Sequence, residues 1–160
     1  MSADAGELLR RLSDAGVEFI VVGGAAAVLH GAPITTEDLD IVHRRTPDNV
    51  ARLKVLLDDL HAHVRELANR KLPVSESALA GEGHVLVSTD LGPLDCLGTI
   101  VEGRGFDELL AHSETMSDEG IQFSVIDLPS LIEIKRKTGR AKDRLMLPVL
   151  LALSDELKDR

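Results

Sequence analysis

Residues 17–42 read VEFIVVGGAAAVLHGAPITTEDLDIV, and the fold turns on how this stretch is parsed. Val17 to Val22 is a short β-branched and apolar run, the pattern of a buried strand. Gly23-Gly24 interrupts it, and Ala25 to His30 follows as a short helix ended by Gly31. Pro33 marks a turn, after which Asp38 to Val42 alternates charged and apolar residues as a second strand. Successive strand side chains point to opposite faces, so Asp38 and Asp40 share one face, their Cα atoms about 6.5–7 Å apart. Leu39 and Ile41 take the other face, towards the core. Two carboxylates on one face repel each other unless a cation lies between them, and a hard divalent cation such as Mg²⁺ prefers carboxylate oxygens. The same pair also fits two solvated aspartates at a strand end.

Working outward, Ser2 to Ala15 places Leu8, Leu9 and Leu12 at helical spacing, with Gly16 as a stop. Thr46-Pro47 is a helix start, and Leu53, Leu56, Leu57 and Leu60 form that helix's apolar face. Residues 62–82 carry no periodicity beyond a short helix at Ser75 to Ala80. His84 to Ser88 and Leu94 to Ile100 read as paired strands about a turn at Leu91-Gly92-Pro93. Phe106 to His112 is a short helix and Ile121 to Ile126 a strand. Asp127 or Ser130 caps a helix running to about Gly139, and a last helix covers about 141–157. Pro148 is expected to kink or interrupt that helix. A hairpin is antiparallel by construction, so the order implies an α/β (α+β) fold with a mixed β-sheet flanked by helices and closed by C-terminal helices.

The 160 residues are one domain's worth of chain, 1–160. Hydrophobic residues at 44% allow a real core, and no apolar run approaches the roughly 20 residues of a membrane span. The single Cys96 excludes an internal disulfide, and MSADAGELLRRL lacks the order of a secretory signal, so a reducing cytoplasmic location is expected. Against 27 acidic residues stand 18 basic ones, a net charge of −9, which disfavours long nucleic acid as a whole-surface partner. Phe19, Phe106 and Phe123 are the only aromatics, too few for a base-stacking platform.

Three further features bear on chemistry. Gly23-Gly24 at a strand-to-helix turn permits tight turning and lets backbone N–H groups approach a phosphate, although a lone glycine pair is more often plain turn chemistry; neither the Rossmann nor the Walker pattern is present. Asp95, in Gly92-Pro93-Leu94-Asp95-Cys96-Leu97, is an acid between apolar residues on a strand; beside Asp38 and Asp40 it would complete a two-metal site, and alone it fits an exposed strand face. Lys135, Arg136, Lys137, Arg140, Lys142 and Arg144 crowd six cations into ten positions, either a solvated helix face or a counter-charge for a triphosphate.

The ordered set resembles the nucleotidyltransferase superfold that includes DNA polymerase β and the minimal nucleotidyltransferases. It is closest to the AbiEii-like branch of abortive-infection and toxin–antitoxin systems. There a glycine pair precedes T-x-D-h-D, matched by Gly23-Gly24 and Thr36-Glu37-Asp38-Leu39-Asp40, and a later lysine motif resembles Lys135 through Asp143. The branch carries an arginine two positions before the threonine, where this chain has Ile34. The resemblance implies Mg²⁺-dependent transfer of a nucleoside monophosphate from a nucleoside triphosphate to a hydroxyl of an RNA, a protein or a small molecule. It makes Asp38, Asp40 and Asp95 the catalytic acids and ligands of two Mg²⁺ ions. Gly23, Gly24, Thr36, Lys135 and Lys142 become the nucleotide contacts, with Asp143 either orienting a lysine or forming a surface ion pair. It also implies that a second copy or a partner protein supplies the acceptor surface held by a C-terminal helical domain in larger relatives. The alternative on the same fold is a non-catalytic nucleotide- or metal-binding module working with a partner chain; an unrelated α/β protein with surface acids is the third reading.

Overall fold

The computed structural model describes residues 1–65 and 71–159. Helix α1, Ala3–Asp14, buries Leu8, Leu9 and Leu12 completely, and the Ser2 hydroxyl accepts the Ala5 N–H at its start. Strand β1, Phe19–Val22, is buried at all four positions, which requires cover on both faces of the sheet. Helix α2, Gly23–Leu29, begins on the glycine pair itself. Strand β2 is Leu39–His43, helix α3 is Pro47–Asp59, strand β3 is the two-residue His63–Val64, and helix α4 is Glu76–Ala80. The hairpin follows as β4, His84–Thr89, and β5, Gly92–Leu97. A single 3-10 turn at Val101–Gly103 leads to helix α5, Phe106–Leu110. Strands β6, Ser113–Asp118, and β7, Ile121–Ile126, form a second hairpin before helices α6, Leu128–Thr138, and α7, Ala141–Lys158.

One seven-stranded mixed sheet runs β3-β4-β5-β2-β1-β7-β6. The pairs β1–β7 and β2–β5 are parallel, and the remaining neighbours are antiparallel. The mixed α/β architecture expected from the sequence is therefore the one observed. An aliphatic core lies along the centre of the sheet, where Ile20, Val21, Leu39, Ile41 and Leu94 have no exposed surface.

Four local readings need correction. Strand β6 was not anticipated, because SETMSD has no apolar alternation; it is an edge strand, mostly exposed, that is specified by its pairing with β7 across the Glu119-Gly120 turn. Both turn residues have positive φ, +47° and +84°, the mirror-image geometry that suits a tight hairpin. The Thr46 hydroxyl makes no capping bond, whereas Asp127 accepts the Ser130 N–H at 2.8 Å, which settles the choice of cap for α6. The β4–β5 turn sits one step earlier than expected, so that Gly92 and Pro93 already belong to β5. Finally, Pro148 does not interrupt α7: it and Arg144, whose carbonyl it leaves without a helical donor, are both exposed residues.

Candidate functional site

Register across four strands builds the site. Val22 on β1, Asp40 on β2, Asp95 on β5 and Leu86 on β4 are successive Cα partners, so they form one row across the sheet. Directly paired residues project from the same face. Asp40 and Asp95, 55 positions apart in the chain, are therefore neighbours on one face. Leu39 and Ile41 point the other way and are fully buried, as the alternation required. Asp38 stands one residue before β2 begins and lines an adjoining cavity.

The electrostatics of the row are unusual. Asp40 is pushed up from the ordinary aspartate value to about 7, first by burial, then by a hydrogen bond shared with Asp95 and by the charges of Asp95 and Asp38, against a weaker pull from Lys142. Its Oδ1 is buried with no hydrogen-bond partner among the described residues. Gly23, with φ of +64°, closes over the carboxylate: a Cβ there would stand 2.3 Å from Asp40 Oδ2. At Gly24 a Cβ would stand 3.1 Å from Thr36 Oγ1. Gly23, with its positive φ, thus lets β1 end against Asp40 where a side chain would collide, while a side chain at Gly24 would press on Thr36.

Two cavities flank the acids. The larger, of about 410 Å³, is walled by Leu86, Leu97, Ile100, Val101, Leu131 and Ile134 and reaches Asp40, Asp95, Lys135 and Asp143. The smaller, of about 250 Å³, is polar and is formed by Gly24, Thr36, Asp38 and Lys142 with their neighbours. The eight residues singled out from the sequence divide between these two spaces, with Asp40, Asp95, Gly23 and Lys135 on the first and Asp38, Gly24, Thr36 and Lys142 on the second. Asp143 is 6% exposed and accepts from Lys135 Nζ at 2.9 Å and from the Thr138 hydroxyl, so it orients a lysine rather than decorating the surface. Lys137 is instead tied to Glu102 and Glu133 on the outside of α6. Cys96 beside Asp95 faces the core, and burial pushes its thiol up to about 12, which removes it as a nucleophile.

One contact had no signal in the sequence. The Arg65 guanidinium is ion-paired with Asp95, the two side chains being 21% and 17% exposed. Arg65 follows a two-residue strand in a stretch without periodicity, so only the sheet register brings it to the acids.

Among the described residues, no three His, Cys, Asp or Glu side chains converge into a ready-made metal cage. The donor chemistry nonetheless suits a hard divalent cation: like-charged carboxylates in contact, a buried oxygen without a partner, and a glycine where a side chain would fill the approach.

No family model and no curated protein matches the sequence. Among solved structures, a candidate nucleotidyltransferase from Thermotoga maritima superposes with a TM-score of 0.60 at 16% identity, over 100% of this chain and 96% of that one. The lincosamide antibiotic adenylyltransferase LnuA, lincomycin-bound, gives 0.65 at 10% identity over 96% and 98% of the two chains. The antibiotic-resistance factor ANT(2'')-Ia gives 0.55 at 12% identity over 98% and 90%. At these identities the likeness establishes a fold shared with these three structures. No helix among the described residues is long and apolar enough to cross a membrane.

Proposed function

We propose that the protein is a Mg²⁺-dependent nucleotidyltransferase that moves a nucleoside monophosphate from a nucleoside triphosphate to an acceptor hydroxyl. The observation that carries this reading is Asp40: raised to about 7, in contact with Asp95, with an unpartnered buried oxygen at a glycine turn. A burial this unfavourable is uncommon unless a ligand relieves it.

Asp38, Asp40 and Asp95 would hold Mg²⁺, two ions in our reading, and the bound metal would neutralise phosphate charge. The polar cavity of Gly24, Thr36 and Lys142 takes the triphosphate, with Lys142 as a point charge. Lys135, steered by Asp143, offers a second cation from the other side. In the transfer, the acceptor oxygen bonds to the α-phosphorus, the bond to the bridging oxygen breaks, and pyrophosphate leaves. The acceptor proton passes to a carboxylate of the row, for which Asp95 borders the larger cavity. The apolar walls of that cavity favour a small molecule with a hydroxyl over RNA or protein as acceptor. The Thr36 to Asp40 run supports placing the chain in the AbiEii-like branch, with a toxin–antitoxin or abortive-infection context as part of the proposal.

Isothermal titration with Mg²⁺ and each nucleoside triphosphate tests the reading. Binding that Asp40→Asn abolishes supports it; a parent indistinguishable from Asp40→Asn under every pairing rejects it. The second reading, a binding module without transfer, draws on the hold of Arg65 on Asp95. Nucleotide binding with no Asp95-dependent transfer of label from a radiolabelled nucleotide to any acceptor would favour it.

A further inference from the structure

Arg65 has no part in the transfer proposed above, yet it is ion-paired with Asp95. Strand β3 is an edge of the sheet, and its register with β4 pairs Val64 with Val87. One step on, the Arg65 N–H donates to the Leu86 carbonyl at 2.9 Å, so Arg65 extends the row Val22, Asp40, Asp95, Leu86 by one more strand. Two strand spacings, about 9–10 Å, separate its backbone from that of Asp95, and a long side chain on the same face crosses this gap over Leu86. The guanidinium ends on Asp95 Oδ1, whose neighbour Asp40 contributes a second acid and Asp38 a third charge.

Resting on the reading that these acids hold divalent metal, we propose that Arg65 is their resident counter-cation: it occupies Asp95 while the site is without metal and is displaced when the ion arrives. Three facts support this. The backbone of Arg65, two strands away from Asp95, is anchored by a hydrogen bond to Leu86. The ion pair is largely shielded from water, so it is not a screened surface contact. Asp95 lines the same cavity as Asp40, where the unpartnered oxygen is. A fixed cation on one ligand and a vacant oxygen on the next is the arrangement of two positive groups competing for one cluster of acids. Arg65 is then a positioning residue: it keeps Asp95 turned to the cleft and sets the threshold for loading.

The test uses Mn²⁺ alone, followed by the loss of the free-ion electron paramagnetic resonance signal, on parent, Arg65→Met, Arg65→Lys and Asp40→Asn. Removing the competitor is expected to tighten Mn²⁺ binding about five- to tenfold in Arg65→Met. Arg65→Lys, which keeps the charge but loses the fork, should fall between. The Mn²⁺-induced rise in melting temperature should be larger in Arg65→Met than in the parent, because Asp95 of that variant lacks its guanidinium partner when metal is absent. A merely structural role for Arg65 would leave affinity unchanged or weaken it. If the parent binds Mn²⁺ in an Asp40-dependent way and neither Arg65 variant binds tighter, the counter-cation role is overturned while the metal site stands. If Arg65→Met does not fold, Arg65→Lys carries the same comparison. If no protein in the set binds Mn²⁺, the metal reading falls and takes this proposal with it.

Discussion

Two shielded aspartates, Asp40 and Asp143, open onto the same cavity and have opposite electrostatic fates. At Asp143, burial raises the carboxyl, but hydrogen bonds from Thr138 and Lys135 outweigh it and hold the group below the usual range. At Asp40, burial and two further acids push the same way, and no cation bonds to it among the described residues. The first carboxylate is completed by its own chain. The second has no such partner among the described residues, and a bound metal takes that place in the function we propose.

Each half of this contrast can be broken separately. The largest effect is expected from Asp40→Asn, which should lower nucleotidyl transfer about 10³-fold or more while leaving the fold intact, measured by label transfer beside circular dichroism. Gly23→Ala should follow: its positive φ and the collision with Asp40 Oδ2 predict a loss of about 1–3 kcal/mol in urea unfolding, together with loss of Mg²⁺ binding. Asp143→Asn should cost about 2–4 kcal/mol by leaving Lys135 shielded and unpaired, and should weaken nucleotide affinity without abolishing transfer.

The two aspartates also predict opposite slopes of stability with pH. A carboxyl raised to about 7 in the fold destabilises it as pH climbs from about 4 to 7, so the metal-free parent should gain stability as pH falls through that window, and Asp40→Asn should lack the gain. A carboxyl lowered in the fold stabilises it above its ordinary value and loses that contribution as pH falls below about 4, and Asp143→Asn should lack that loss. Urea midpoints between pH 3 and 8 on the three proteins separate these; parallel curves would dissolve the contrast. The smallest effect is expected for Lys142→Met, about five- to tenfold in nucleotide affinity, because an exposed lysine acts as a single, screened point charge.

Legibility from sequence followed the range of the interaction. The glycine pair, the inward Leu39 and Ile41 and the leucine faces of α1 and α3 are local patterns found where the residues predicted them, whereas Asp38, read as sharing a strand face with Asp40, lies just outside β2 and lines the second cavity. Strand β6 was invisible because its polar residues become a strand only when β7 offers a partner. Asp143 was left between two roles, since a charge run does not show which acid is buried beside which lysine. Arg65 gave no signal, lying next to nothing in the chain that concerns the site.

The sequence alone determined the alternation that sends Leu39 and Ile41 inward and frees Asp40, and the glycines that let the backbone turn beside it, because side-chain period and backbone sterics act over a few residues. Only the tertiary structure decided that Asp95 stands next to Asp40, that Arg65 reaches across β4 to it, and that Asp143 claims Lys135. Those neighbours are set by strand register and helix packing, which join residues that the chain keeps far apart.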